Sequence, residues 1–183
     1  AEAGLEPKDL NAVALSIGPG SYTGLRIGTS FAKGLCYGTD IPLITIPTLT
    51  IIAQNAKEKY NIEEDALLCP MIDARRMEVY CCVYDSKLNE VRATEPQIID
   101  ENSFADILKD QKVYFFGNGA AKCEPVITHS NAHFIEDIVP QAKYMGVLAE
   151  QQEQVLDVKQ MAYYEPFYLK EFVAAPSHIK GLK

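Results

Sequence analysis

Gly18-Pro19-Gly20-Ser21-Tyr22-Thr23-Gly24 lies between an apolar run and the start of a helical pattern. A glycine-rich loop in that place can aim backbone N–H groups and a helix N-terminus at an anion, so phosphate binding is the chemistry it offers. It misses the Walker pattern, because Leu25 and Arg26 follow Gly24 where Lys and Ser/Thr are required, and its third glycine comes one residue late for G-x-G-x-x-G. A tight structural turn therefore competes with a phosphate cradle. His129 and His133 have the i, i+4 spacing of a helical metal pair. Their segment reads as a polar loop entering a strand, where such residues lie about 13 Å apart, so solvated histidines are expected and no metal. Arg75 and Arg76, beside Asp73, offer guanidinium forks for a phosphate or an acidic surface; local ion pairs with carboxylates such as Glu78 and Asp85 are the simpler expectation. Cys81 and Cys82, adjacent on a strand, point to opposite faces and cannot act together.

The helix after the loop carries Gly24, Gly28, Ala32 and Cys36 at four-residue steps, a ridge of small side chains, with Gly34 besides. Mid-helix glycine costs about 1 kcal/mol relative to alanine, so the ridge makes sense where another backbone comes close. That backbone belongs either to the protein's own sheet or to a helix of another chain.

The elements that must hold these groups follow from periodicity. A buried strand over 11–17 leads to a helix over 23–37 with Gly38 as its stop, a second strand over 43–46, and a helix from Pro47-Thr48 to about Tyr60 with Leu49, Ile52, Ala53 and Ala56 on one face. Then the pattern changes. Strands over 67–72, 78–84 and 91–99 form an antiparallel meander, Asn102-Ser103 caps a helix to Lys109, and 113–116 is a strand. Gly117-Asn118-Gly119-Ala120 opens a helical turn, a short strand follows near 133–135, and a helix runs from Gln141 to about Leu156. Residues 162–172 are aromatic and extended, with Pro166 blocking a helix. Such a tail can stack bases, though packing across the first lobe is the plainer expectation. The divisions expected are a first lobe over 1–65, a second over 66–160 and a tail over 161–183.

The chain has 183 residues, with seventeen Lys and Arg against twenty-five Asp and Glu, a net charge of −8. That length allows one domain or two small lobes, and the acidity argues against a free-standing nucleic-acid binder. No apolar run has the roughly 18 residues of a membrane helix. Five cysteines without a C-x-x-C pair indicate neither a disulfide framework nor a zinc knuckle, and fit a reducing cytoplasm. Two parallel strands make a marginal sheet, so further strands, from upstream, from a partner or from a second copy, are expected to complete it. The opening residues read as the end of a helix with Gly4 and Pro7 as its stop, which points to something upstream.

Ala12 through Gly28, AVALSIGPGSYTGLRIG, continuing to Lys33-Gly34-Leu35, resembles the signature of the TsaB (YeaZ) family. The likeness extends through Asp73-Ala-Arg-Arg-Met-Glu-Val-Tyr80 and Phe116-Gly-Asn-Gly119 to Glu165-Pro-Phe-Tyr-Leu-Lys170, with Tyr22 where Phe is usual and Lys170 where Arg is usual. The resemblance implies an α/β fold of the actin-like ATPase class (ASKHA, ribonuclease H-like) with two lobes, the first lacking its N-terminal strand hairpin, so that roughly 50 residues are expected ahead of Ala1. It implies a non-catalytic scaffold and activator, not an enzyme, that dimerises with the TsaD homologue for transfer of a threonylcarbamoyl group to N6 of adenosine 37 of tRNA. This chain would bind no cofactor alone, with ATP and metal in partner subunits, a TsaE-type ATPase in the larger complex, a homodimer in isolation and only indirect contact with tRNA. The interface residues implied are Gly24, Leu25, Arg26, Gly28, Phe31, Ala32 and Leu35, preceded by the loop Gly18, Pro19, Gly20, Ser21 and Tyr22. Gly117, Asn118 and Gly119 stand where actin-like kinases have a second nucleotide loop, in reduced form. The alternatives are a small-molecule kinase of the same fold and a glycoprotease-type metallopeptidase; no Ser/His/Asp order or zinc helix supports the latter.

Overall fold

The computed structural model describes residues 4–152 and 155–169. Two short apolar runs, β1 (Val13–Ser16) and β2 (Leu43–Ile46), pair in parallel from Val13 opposite Leu43 to Ser16 opposite Ile46. Parallel strands need a crossover, and α1 (Tyr22–Thr39) supplies it. The Ser21 hydroxyl accepts from the Gly24 N–H at 3.3 Å to open this helix. It runs through Gly38 and stops at Asp40, whose φ of 56° is left-handed and whose N–H reaches the Cys36 carbonyl. Asp tolerates that conformation, which is why the stop lies beyond the glycine the sequence suggests.

The second sheet has five strands in the order β5-β4-β3-β6-β7. β3 (Leu67–Asp73), β4 (Glu78–Tyr84) and β5 (Glu90–Ile98) form the antiparallel meander, while β6 (Val113–Phe116) and β7 (Ala132–Ile135) run parallel to β3. Alternation divides its two faces. Leu68, Cys82, Tyr84 and Phe116 pack on one side, against Leu49, Ile52, Ala53 and Ala56 of α2 (Thr48–Lys59). Cys69, Met71, Cys81, Val83 and Phe115 form the other core with Phe104, Leu108, Cys123 and Ile127. Ile51, on the far flank of α2, joins Ile46, Tyr144, Met145 and Leu148 beneath the first sheet. One helix thus packs into the cores of both sheets.

Two expectations change, one through a local turn and one through a contact distant in sequence. Ser103 does not cap a helix: its hydroxyl accepts from the Asp100 N–H at 2.9 Å and donates to the Asp100 carboxylate at 3.0 Å, closing a turn. The helix after it, α3 (Ala105–Leu108), begins at Phe104, which is left-handed with its ring buried. The helix expected from Gln141 to Leu156 is a 3₁₀ turn, Ala142–Tyr144, and then α4 (Met145–Glu150). Leu156 is extended instead, exchanging hydrogen bonds of 2.9 and 2.8 Å with Leu43 at the outer edge of β2. A short α5 (Val158–Ala162), held by a capping box between Asp157 and Gln160, precedes the aromatic tail. The tail folds back on the first sheet, and the Phe167 N–H donates to the Ile17 carbonyl at 2.9 Å. Lys170 and Phe172 lie outside the described residues.

Candidate partner interface on the first helix

α1 has two apolar faces. Thr29, Ala32 and Cys36 are buried toward the first sheet, with Leu25, Gly28 and Leu35 half-buried beside them. A Cβ built on Gly28 would lie 3.7 Å from a methyl of Leu15, so the small ridge from Gly28 to Cys36 lets α1 settle onto its own β1. This corrects one interface expectation: Ala32, 3% exposed, belongs to the internal core and is closed to a partner. Of the residues expected at the interface, Gly24, Arg26 and Phe31 are exposed, while Leu25, Gly28 and Leu35 are half-buried.

The opposite face carries Thr23, Ile27, Ser30, Gly34 and Tyr37 at alternating four- and three-residue steps, flanked by Gly24, Phe31 and Gly38. Ile27 is 65% exposed, Phe31 73% and Tyr37 76%, and a Cβ on Gly34 or Gly38 would meet nothing within 4 Å. Three large apolar side chains in a row on a helix, separated by glycines that no internal packing requires, form a surface suited to another helix. Sequence reasoning missed Ile27 and Tyr37. Their signal is the 4-3-4-3 spacing, which is hidden in the sequence because the inward face is apolar as well.

The loop before α1 is built by contact with the tail. Gly18 has φ 114° and a cis bond to Pro19; a Cβ there would lie 2.7 Å from the Phe167 carbonyl oxygen, so this position requires glycine. The Gly18 carbonyl accepts from the Thr48 N–H at 2.8 Å. Tyr22 meets Tyr168 at 5.2 Å between ring centroids, and the Arg26 guanidinium lies 5.5 Å from the Tyr22 ring centre and donates to its hydroxyl at 3.3 Å. Beside the loop is a cavity of about 400 Å³ lined by Leu15, Pro19, Gly20, Ser21, Ile51 and Met145 among others, with no Lys or Arg among its described residues. Its Ser16 and Thr48 hydroxyls bond each other at 2.8 Å, and Ser21 is spent on its own helix, so the turn reading fits this loop better than a phosphate cradle.

Gly117, Asn118 and Gly119 are stitched to the end of β3. Gly117 has φ 100°, and a Cβ there would run into the Met71 carbonyl; a Cβ on Gly119 would lie 2.9 Å from the Ile72 carbonyl carbon. The Asn118 side chain accepts from the Asp73 N–H at 3.0 Å, and the Gly119 N–H donates to the Met71 carbonyl at 3.1 Å. Close packing thus accounts for both glycines, and the neighbouring hollow of about 240 Å³ is lined by Glu124, Glu136 and Asp137, which repel phosphate.

The arginine turn keeps part of the local tie expected of it: the Arg75 N–H donates to the Asp73 carboxylate at 3.0 Å. Asp73 takes the Lys122 ammonium, which lowers its pKa and also donates to the carbonyls of Arg76 and Glu78 at 2.6 and 2.7 Å. Asp85 is held by the Lys87 and Asn89 N–H groups, each at 2.8 Å. Arg75 and Arg76, left-handed at φ 73° and 50°, form no ion pair with a described residue. His129 accepts from the Asn131 N–H at 3.2 Å, while His133 lies on β7 with its ring 5.2 Å from that of Tyr114. Among the described residues no group of three or more His, Cys, Asp or Glu is placed to hold a metal ion, and no helix is long and apolar enough to cross a membrane.

Comparison with known proteins places this architecture. The family model for TsaD, tRNA N6-adenosine threonylcarbamoyltransferase, matches residues 1–177. The tRNA threonylcarbamoyladenosine biosynthesis protein TsaB of Haemophilus influenzae is 30% identical over 185 residues, 94% of this chain and 75% of its own. Its counterpart from Bacillus subtilis is 33% identical over 152 residues, 80% of this chain, and the match spans 59% of that protein's length. YeaZ from Pseudomonas aeruginosa superposes with a TM-score of 0.74 at 24% identity, covering 92% of this chain and 78% of that one, which shows a shared fold. The fold is of the actin-like class, and the chain belongs to the TsaB (YeaZ) family.

Proposed function

We propose that the protein acts in the biosynthesis of tRNA threonylcarbamoyladenosine as a non-catalytic subunit that docks the outer face of α1 on a TsaD-type partner. The observation that carries this is the exposed row Ile27, Phe31 and Tyr37 on a helix whose other face is fully used. Covering three such side chains is worth roughly 5 to 9 kcal/mol before the costs of association, enough for a specific complex and a reason for the chain to prefer company. The partner would carry transfer of threonylcarbamoyl to N6 of adenosine 37, together with the metal and ATP; a TsaE-type ATPase would complete the assembly in the cytoplasm. The names of the relatives support this reading, as does the net charge of −8, which leaves the tRNA to the partner. Alone, two copies would cover the same faces against each other.

The test is co-expression with the TsaD-type homologue of the same organism. Ile27→Asp and Phe31→Asp, both on exposed positions, are expected to keep the circular dichroism spectrum and the melting temperature while abolishing co-purification. Co-elution of both variants at wild-type yield would overturn the reading.

A further inference from the structure

The outer face of α1 also has a sign. Residues 10–39 hold no Asp or Glu in a chain that has twenty-five, and their formal charge is +2 from Arg26 and Lys33. The other 153 residues carry −10. Arg26 and Lys33 are seven residues apart, so they share one flank of the stripe, separated by about 10 Å along the helix axis. Neither forms an ion pair with a described residue. Both are held in position by uncharged groups: Lys33 donates to the Ala162 carbonyl at 3.1 Å, and Arg26 rests on Tyr22, which in turn meets Tyr168. Glu165, the carboxylate on that stretch of tail, pairs with neither.

Resting on the reading that α1 is the partner surface, we propose that the helix seated on it carries carboxylates opposite Arg26 and Lys33. The basic flank then selects a heterologous acidic-edged partner over a second copy of this chain. In a two-helix seam with Thr23, Ile27, Ser30, Gly34 and Tyr37 at its centre, Arg26 and Lys33 occupy one repeating flank position. Two copies packed antiparallel bring that flank against itself, four like charges together. Packed parallel, the flank faces Gly24, Phe31 and Gly38, which leaves the charges unanswered. A partner with carboxylates seven residues apart answers both, and the like-charge arrangement is what discriminates against self-pairing.

The test is the association rate of the full chain with the purified TsaD-type homologue, for wild type, for the double variant Arg26→Glu with Lys33→Glu, and for Arg26→Lys with Lys33→Arg. Flanking charges act mainly on the association rate and its salt dependence. The reversal is expected to slow association about tenfold or more at about 0.05 M salt, with the gap closing at about 0.5 M, while the charge-keeping exchange behaves as wild type. Equal rates at low salt, or a loss that persists at high salt, would overturn the proposal. So would self-association of the wild type that is tighter than its binding to the homologue and indifferent to salt. Phe31→Asp separates the two levels: normal binding by it removes the interface itself, whereas its failure alongside unimpaired charge reversal removes only the acidic partner edge.

Discussion

Gly34 is the position where folding and partnership pull in opposite directions. It lies well inside α1, and a Cβ placed on it meets nothing within 4 Å, so within this chain the glycine brings only the backbone entropy cost of fixing it in a helix. Gly34→Ala should therefore stabilise the protein by about 0.8–1 kcal/mol, a rise of about 2–4 °C in melting temperature for a chain of this size. Gly34→Leu should gain nearly as much, since leucine is also a strong helix former. On the outer face, however, leucine places four carbons between Phe31 and Tyr37, where a partner backbone is expected to come close. Overpacking of that kind costs about 1–3 kcal/mol, a weakening of roughly 5- to 150-fold. Thermal unfolding of the protein alone and a titration against the TsaD-type homologue read the two effects separately. Stabilised variants that bind as wild type would refute the placement of the partner, and destabilised variants would refute the open surroundings of Gly34. Gly28 is a poorer probe because leucine there presses on Leu15 and disturbs the inward packing.

Other expectations concern the second sheet. Hydrogen bonds from Lys112, at 2.7 Å, and from Tyr114 hold the Glu63 carboxyl down at about 2. A depressed carboxyl contributes stability that is complete above its unfolded value, near 4.5, and is lost as the pH falls through about 2; urea unfolding at pH 6 and pH 2.5 should show a smaller pH dependence in Glu63→Gln. Gly117→Ala forces a Cβ into the Met71 carbonyl at a φ that alanine avoids, and should cost about 2–4 kcal/mol with a lowered melting temperature; a wild-type melting temperature would mean that β3 and this loop are not in contact. Burial pushes the Cys82 thiol up to about 12 and Cys123 to about 11, so iodoacetamide at pH 8 should label neither until the protein unfolds, as followed by mass spectrometry.

Where one element's own residues decide its form, the sequence was a sufficient guide. β2 and α2 follow from a bounded apolar run and from Pro47-Thr48 at a helix start, and the meander follows from three runs separated by turn residues. Distant contacts decide the rest. The span from Gln141 has helical spacing throughout, yet Leu156 gains two backbone hydrogen bonds at Leu43 that a longer helix would forgo. At α1 the ambiguity is of another kind. Small residues at four-residue steps fit a sheet below as well as a helix above, and only the position of Leu15 shows that Gly28 and Ala32 face inward. Phe31 was named as a candidate because the resemblance supplied a purpose for the helix, and the structure adds that its side chain is exposed; Ile27 and Tyr37 read as ordinary members of an apolar pattern.

The bridge between Leu156 and Leu43 has a directional consequence for the first sheet. It occupies the outer edge of β2 at the start of that strand, and Leu156 packs into the cluster of Leu15, Leu43 and Met161. On the other side, Val13 and Ile17 turn their N–H groups toward β2, and those of Ala14 and Ser16 face away from it with no backbone partner among the described residues. The start of β2 is therefore closed to a further strand, while Ala14 and Ser16 leave the edge of β1 as a line along which a strand from this polypeptide or another can register.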